Sequence, residues 1–274
     1  MKIAGLSVLT LGLLAIAPLH AQQITPLDTV SFRIGGYITS WDTKVRADGT
    51  TSRGTDVDFK RDFGLDDSAA IGYVGVTWRP WEKHEFGLTY YQNDADATRT
   101  VTRDITFKNT TYRTNSIVSA DVGIDAYEAY YVWWAASKEN WALGPRVGMI
   151  WYRMDAALAL QVDASGTTVG GAVREDASAD LPSITIGGAW RWTPGGHGQW
   201  RIGADAGYFQ ANVDNVDANV TFGRIGVEWF PWERSGFSLD YTVSKINADA
   251  KKSDFLGNVD FVDSGLKLGY VYRW

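Results

Sequence analysis

From Val30 to the end of the chain, apolar and polar residues alternate with a period of two, in blocks separated by Gly, Pro, Asn, Asp and charged clusters. The last block is the clearest. Leu266, Leu268, Tyr270, Tyr272 and Trp274 fall on one face of an extended strand, and Lys267 and Arg273 fall on the other, because successive side chains of a strand point to opposite sides. Ten such segments can be marked, at 30–46, 69–79, 84–104, 112–135, 141–163, 172–193, 199–213, 217–230, 236–250 and 258–274. Each is long enough for the ~10 residues that a tilted strand needs to cross a bilayer. Eight or twelve strands remain open, because residues 47–68 and 84–118 can be parsed in more than one way.

A hairpin recurs within this pattern. Gly75-Val76-Thr77-Trp78-Arg79-Pro80-Trp81-Glu82 aligns with Gly226-Val227-Glu228-Trp229-Phe230-Pro231-Trp232-Glu233. Proline breaks the strand, a charged pair turns it, and alternation resumes. Tryptophans gather at these turns: Trp78, Trp81, Trp133, Trp134, Trp141, Trp190, Trp192, Trp200, Trp229, Trp232 and Trp274 all lie at one set of strand ends. A membrane–water interface selects such a girdle, since the indole body is buried while its N–H stays wet. At the other strand ends, residues 47–68, 105–111, 164–178, 214–217 and 251–257 are rich in Gly, Ser, Thr, Asp, Asn and Lys. Short periplasmic turns and longer extracellular loops follow from that asymmetry.

Residues 1–21 begin with Met1-Lys2, continue through a mostly apolar stretch and end at Leu19-His20-Ala21. This is the pattern of a secretory signal peptide, with the mature chain expected to run from Gln22 to Trp274 as one barrel domain. The mature part carries 25 Lys plus Arg against 32 Asp plus Glu, a net charge of −7, which argues against nucleic acid as a partner. The chain has no cysteine, so an exported fold must hold without disulfides. Although 14% of residues are aromatic, no mature segment is apolar for long enough to be a transmembrane helix. A closed barrel is the other structure that satisfies its backbone within a bilayer.

On the strand face opposite the aromatics lie Arg33, Arg79, Glu128, Arg146, Arg191, Arg201, Asp205, Arg224, Glu228, Asp240, Lys267 and Arg273. These are candidate lumen-lining residues. Their mixed signs point to paired charges rather than a single-sign selectivity ring, and glycines on the same face leave room for long arginines. Arg99 and Arg103 sit where a hairpin would extend past the membrane, and guanidinium binds phosphate bidentately. They are candidate contacts to lipopolysaccharide.

Signals for catalysis are weak. The mature chain has only His84 and His197, both in or beside the short turns and far from an outward-facing site. No serine sits in a nucleophile-elbow context, and Ser264 and Lys267 point to opposite faces of a strand. Asp214, Asn215, Asp217 and Asn219 lack calcium-loop spacing, and Asp66-Asp67 reads similarly as a turn. No metal site and no cofactor are expected.

The closing strand Leu266–Trp274 resembles the C-terminal assembly signal of Gram-negative outer-membrane β-barrels, and with the signal peptide and Trp-rich turns the resemblance covers the mature chain. Asp62-Phe63-Gly64-Leu65-Asp66-Asp67 is similar to a stretch of uncharacterised proteobacterial outer-membrane proteins. The resemblance implies an all-β, single antiparallel up-and-down transmembrane barrel of about ten strands in the outer membrane. It implies as partners the membrane lipid, lipopolysaccharide and the barrel-assembly machinery, with the barrel itself a monomer. A non-enzymatic, narrow pore of low conductance for small polar solutes is the leading expectation. The alternatives are a closed structural or surface-interaction barrel and, behind it, a lipid-modifying enzyme.

Overall fold

The computed structural model describes residues 25–49, 53–63, 68–167, 173–194, 199–213, 216–251 and 256–274. The expected signal peptide, His197 and the Asp66-Asp67 pair lie outside them, as do Asp214 and Asn215. Ten long strands form the wall: β1 Val30–Ala47, β2 Ser68–Trp81, β3 His84–Thr100, β4 Ile117–Trp133, β5 Trp141–Val162, β6 Arg174–Trp192, β7 Trp200–Val213, β8 Val216–Trp229, β9 Ser235–Lys251 and β10 Leu256–Arg273. Each pairs antiparallel with its neighbour in sequence, and β1 pairs with β10 from Ser31↔Arg273 to Ala47↔Gly257. The ring is closed. No strand edge is left to the bilayer, where an unpaired backbone group would find no water.

Alternation sorts the two faces as the sequence pattern requires. Outward around the middle of the wall stand Phe32, Ile34, Ile38, Val74, Leu88, Val147, Ile184, Ile186, Ile225, Leu239 and Leu268, all exposed. In a soluble protein a continuous apolar belt of this kind would be an association surface; on a closed ring it is the lipid-facing band. Trp78, Trp81, Trp133, Trp200, Trp229, Trp232 and Trp274 stand exposed at its lower edge. Trp141 and Trp192 are paired across β5 and β6 there, and Trp190 stacks on Trp192 at 6.2 Å. The upper edge carries a second set of rings the sequence reading did not assemble: Tyr90, Tyr127, Trp151, Tyr208 and Tyr241. Trp151 Nε1 donates to Asp180 at 3.1 Å, and Tyr90 hydroxyl donates to Asp125 at 3.1 Å.

Two expectations need correction. Trp134 is fully buried rather than in the girdle, because the chain turns inward after Trp133; its Nε1 donates to Glu85 at 3.1 Å. Segments 84–104 and 112–135 pair as a hairpin from His84↔Trp133 to Thr100↔Ile117 but stop short of their expected inner ends: β3 ends at Thr100 and β4 begins at Ile117. Between them, a small hairpin pairs Ile105–Phe107 with Thr110–Tyr112. Val101, Ile105, Phe107 and Tyr112 are buried there. That connection folds into the barrel mouth because its apolar side chains have no lipid to face above the membrane.

Tyr130 illustrates how closely the inner face is packed. Its ring lies directly over Gly87 of the paired strand, where an added Cβ would come within 2.1 Å of it. Its hydroxyl meets Thr77 at 3.2 Å and donates to Glu85 at 3.3 Å, while the Arg146 guanidinium sits 5.0 Å from the ring centre. Gly87→Val is therefore expected to destabilise the folded barrel by about 1–3 kcal/mol, the usual cost of overpacking. Urea unfolding in lipid vesicles measures it, and adding Tyr130→Ala to make room should recover part of the loss.

Candidate functional site

The interior is the site, and it is layered. At the periplasmic floor Trp134, Val132, Ala142 and Ala189 form a small apolar cluster with Leu27 packed against it. Phe230 and Val271 form another. Residues 25–29 cross this mouth as a strap: Thr29 N–H donates to the Trp274 carbonyl at 2.9 Å, and Arg79 Nε donates to the Asp28 carbonyl at 2.9 Å. Asp28 then ties the strap to the wall. Its carboxylate pairs with Arg201 at 2.7 Å and Arg273 at 3.2 Å, and both guanidiniums lie on the Phe230 ring, at 5.1 and 4.2 Å. Outside the strap opens a vestibule of about 660 Å³, lined among others by Arg79, Glu82, Lys138 and Glu233.

Above the floor comes the ion-paired layer. Glu228 accepts from Arg33 at 2.5 Å and from Arg201. Asp205 joins Arg191 at 2.8 Å to Arg224 at 2.6 Å, and Arg224 continues to Asp240 at 2.7 Å. Arg146 reaches Glu128 at 2.8 Å over Gly148, where a Cβ would strike its guanidinium at 2.3 Å. Glu85 lies 4.0 Å from Arg191. Eleven of the twelve candidate residues, all but Arg79, sit on the inner face, and Arg79 serves at the periplasmic rim. Asp28 and Glu85 belong to the same lattice but escaped sequence reading, Asp28 because it precedes the first strand and carries no alternation signal. The mixed signs are joined in ion pairs around a cavity of about 50 Å³ among Arg33, Tyr73, Glu128, Arg146, Arg224, Asp240 and Lys267. Buried pairs of this kind hold because each charge has lost its water and found a partner.

Next comes a tyrosine layer centred on Asp263. Its carboxylate accepts from Tyr37 at 2.6 Å, Thr39 at 2.7 Å, Tyr152 at 3.2 Å and Tyr91. Above it the interior is dry: Val45, Phe59, Phe63, Phe107, Val118, Leu158, Ile246 and Phe261 are all buried in one cluster. Phe59 and Phe63 come from a single wide helical turn, Phe59–Phe63, that drops in from the loop after β1.

Asp62 on that turn fastens it to the inturned hairpin. It meets Arg103 at 2.6 Å and Arg61 at 3.0 Å, and it accepts the Asp58 N–H at 3.0 Å. Burial alone would raise this carboxyl, but the hydrogen bonds from Arg103 and Arg61 prevail and bring it down to about 2. Arg103 also donates to the Asp56 carbonyl while its side chain stays 38% exposed, and Arg99 is exposed. Outside, β3 to β6 project above the upper girdle as an acidic wall. Asp96 and Asp121 pair across the register, as do Asp94 with Gly123 and Gly123 with Asp155, and Asp176 and Asp180 follow on β6. Arg174 answers Asp176 at 2.9 Å and Asp121 at 3.3 Å.

His84 faces the lower girdle, its Nδ1 2.8 Å from the Tyr131 hydroxyl and its ring against Trp81. It is placed for the interface and not for chemistry at the outer rim.

No family model and no curated relative matches the chain. Among solved structures it is similar to the outer membrane protease OmpT of Escherichia coli, with a TM-score of 0.60 at 9% identity over 93% of this chain and 100% of that one. The Pseudomonas putida toluene transporter TodX matches with a TM-score of 0.36 at 7% identity, covering 90% of each chain. The Yersinia pestis attachment invasion locus protein Ail matches with a TM-score of 0.33 at 11% identity, covering 90% of this chain and 100% of that one. The fold is that of an outer-membrane β-barrel.

Removing Asp28 leaves Arg201 and Arg273 short of a carboxylate at the floor. Asp28→Ala should cost about 3–5 kcal/mol in unfolding free energy, the usual consequence of breaking a buried pair from one side. Asp28→Glu should retain more of it, by the same vesicle assay. At the cap the pH dependence has a defined sign. Asp62 has a folded value of about 2 against about 3.9 unfolded, so its contribution is complete above about 3.9 and lost as pH falls through about 2. Hydrogen exchange in residues 101–107, corrected for its intrinsic pH dependence, should stay slow at pH 5 and quicken toward pH 2. Arg103→Ala should speed it already at pH 5.

Proposed function

We propose that this protein is a non-enzymatic barrel of the outer membrane whose lumen is closed and whose working surface is its extracellular end. One observation carries the reading: an apolar cluster, a tyrosine layer, an ion-paired layer and a strapped floor occupy the interior in succession. Ten strands leave only a little more room than the eight that side chains just fill, and here arginines and aromatics take up that room. Binding energy at the outer end is then available to a partner or to the outer leaflet, since the cap and the acidic wall are the parts presented there. Lipopolysaccharide is the neighbour at the upper girdle, and the alternating closing strand is the segment for the barrel-assembly machinery.

The protease title of the OmpT neighbour argues for weighing catalysis. Against it, His84 is turned to the lower interface, and the interior carboxylates are taken by arginines or tyrosine hydroxyls. A pore is the second reading, favoured by the 660 Å³ vestibule beneath the strap; it requires the strap and the ion pairs to move.

Planar-bilayer recording separates the two. The refolded wild type should give no discrete conductance steps, whereas Arg201→Ala combined with Arg224→Ala should open small cation-selective steps by removing two long side chains and uncovering carboxylates. Regular ohmic steps from the wild type would overturn the closed reading in favour of the pore.

A further inference from the structure

Six interior arginines, Arg33, Arg146, Arg191, Arg201, Arg224 and Arg273, each have a carboxylate within 4.0 Å. Lys267 is different. It is buried at 8% exposure and, among the described residues, makes no ion pair. Its register partner is Asp240 on β9, but that carboxylate is turned to Arg224 at 2.7 Å. The Lys267 ammonium lies instead over rings, 4.8 Å from the centre of Tyr37, 4.9 Å from Tyr91 and 5.9 Å from Tyr73. Ring faces attract a cation, yet they leave its three N–H donors without acceptors.

The same residue lines the cavity of about 50 Å³. Four cations border it, Arg33, Arg146, Arg224 and Lys267, against three carboxylates, Glu128, Asp205 and Asp240. Those three are the ones already held by arginines. Tyr73 also lines the cavity, and among the described residues its buried hydroxyl has no hydrogen-bond partner. With Arg33 answered by Glu228, the cavity has one ammonium with no carboxylate in contact, an uncommitted phenol donor and room for about one water-sized body, whose share of liquid volume is ~30 Å³.

From this we infer that the barrel interior holds a small monovalent anion, of halide size, between the Lys267 ammonium and the Tyr73 hydroxyl. The volume excludes a phosphate with its hydration, and the flanking carboxylates disfavour a divalent anion. A halide accepts from both donors and gives the Lys267 ammonium a counter-ion, which removes the penalty of an unpaired ion in a low-dielectric interior. Asp263 does not serve that purpose, because its oxygens are occupied by hydroxyls on the far side of the same tyrosines. The site is internal and requires no conduction, so it stands apart from the choice between closed barrel and pore.

Bromide is the probe. Crystals of the full-length folded protein grown in sodium bromide should show one anomalous peak in contact with Lys267 Nζ and Tyr73 Oη. In detergent, the melting temperature should rise by several degrees when chloride or bromide replaces gluconate at equal ionic strength. Lys267→Met should remove the peak and the halide dependence; Tyr73→Phe should weaken both. Should Lys267→Met fail to insert, the halide-against-gluconate comparison on the wild type still decides. An ordered water without anomalous signal at Lys267, or equal melting in all three salts, overturns the proposal.

Discussion

Pairing between the first and last strands is the constraint on which the rest of this molecule depends. In hydrocarbon no water is available to an open strand edge, so β1 must find β10 over its whole length, and it does from Ser31 to Ala47. Closure fixes which face of each strand is inside. Once that is decided, every odd-numbered residue from Ser31 to Ala47 and from Val259 to Arg273 turns inward, and the interior must be filled with whatever those positions carry.

What they carry is mostly charge in the lower half and hydrocarbon in the upper half. The lower half is held by mutual necessity: Glu228 between Arg33 and Arg201, and Asp205 between Arg191 and Arg224. Breaking any one contact strands an ion in a dry place. Such a lattice ties neighbouring and distant strands together across the lower interior. The upper half is packed by ordinary burial, supplied partly by loop residues such as Phe63 and Phe107 that fold back into the mouth. The two halves meet at Asp263, whose tyrosine partners present hydroxyls to the carboxylate and ring faces to Lys267. One ring thus serves both a negative and a positive group, which lets an acidic and a basic residue lie on the same inner face without touching.

On the outer side the projecting wall carries exposed carboxylates, and in the cap Asp62 gathers Arg61 and Arg103. The OmpT likeness, at 9% identity, is a likeness of fold, and a fold does not by itself specify a function.

Much of this was legible in the sequence because a transmembrane strand is governed by a period of two and by the chemistry of the interface. Ten strands follow from alternation alone; alternation also puts the residues from Arg33 to Arg273 on one face of their strands, and position puts Trp78, Trp81, Trp133, Trp141, Trp192, Trp200, Trp229, Trp232 and Trp274 at one set of strand ends. Three things were decided only by the tertiary structure. Trp134 left the girdle because its strand had already ended; Arg103 and the 101–112 segment turned inward because their partners, Asp62 and the upper core, lie far away in sequence; and Asp28 became the floor's key anion through contacts with residues 173 and 245 positions distant. Alternation states which side a residue faces. It says nothing of which residue stands opposite, since that depends on closure of the ring, and so the charges were visible one by one while the lattice that joins them was not.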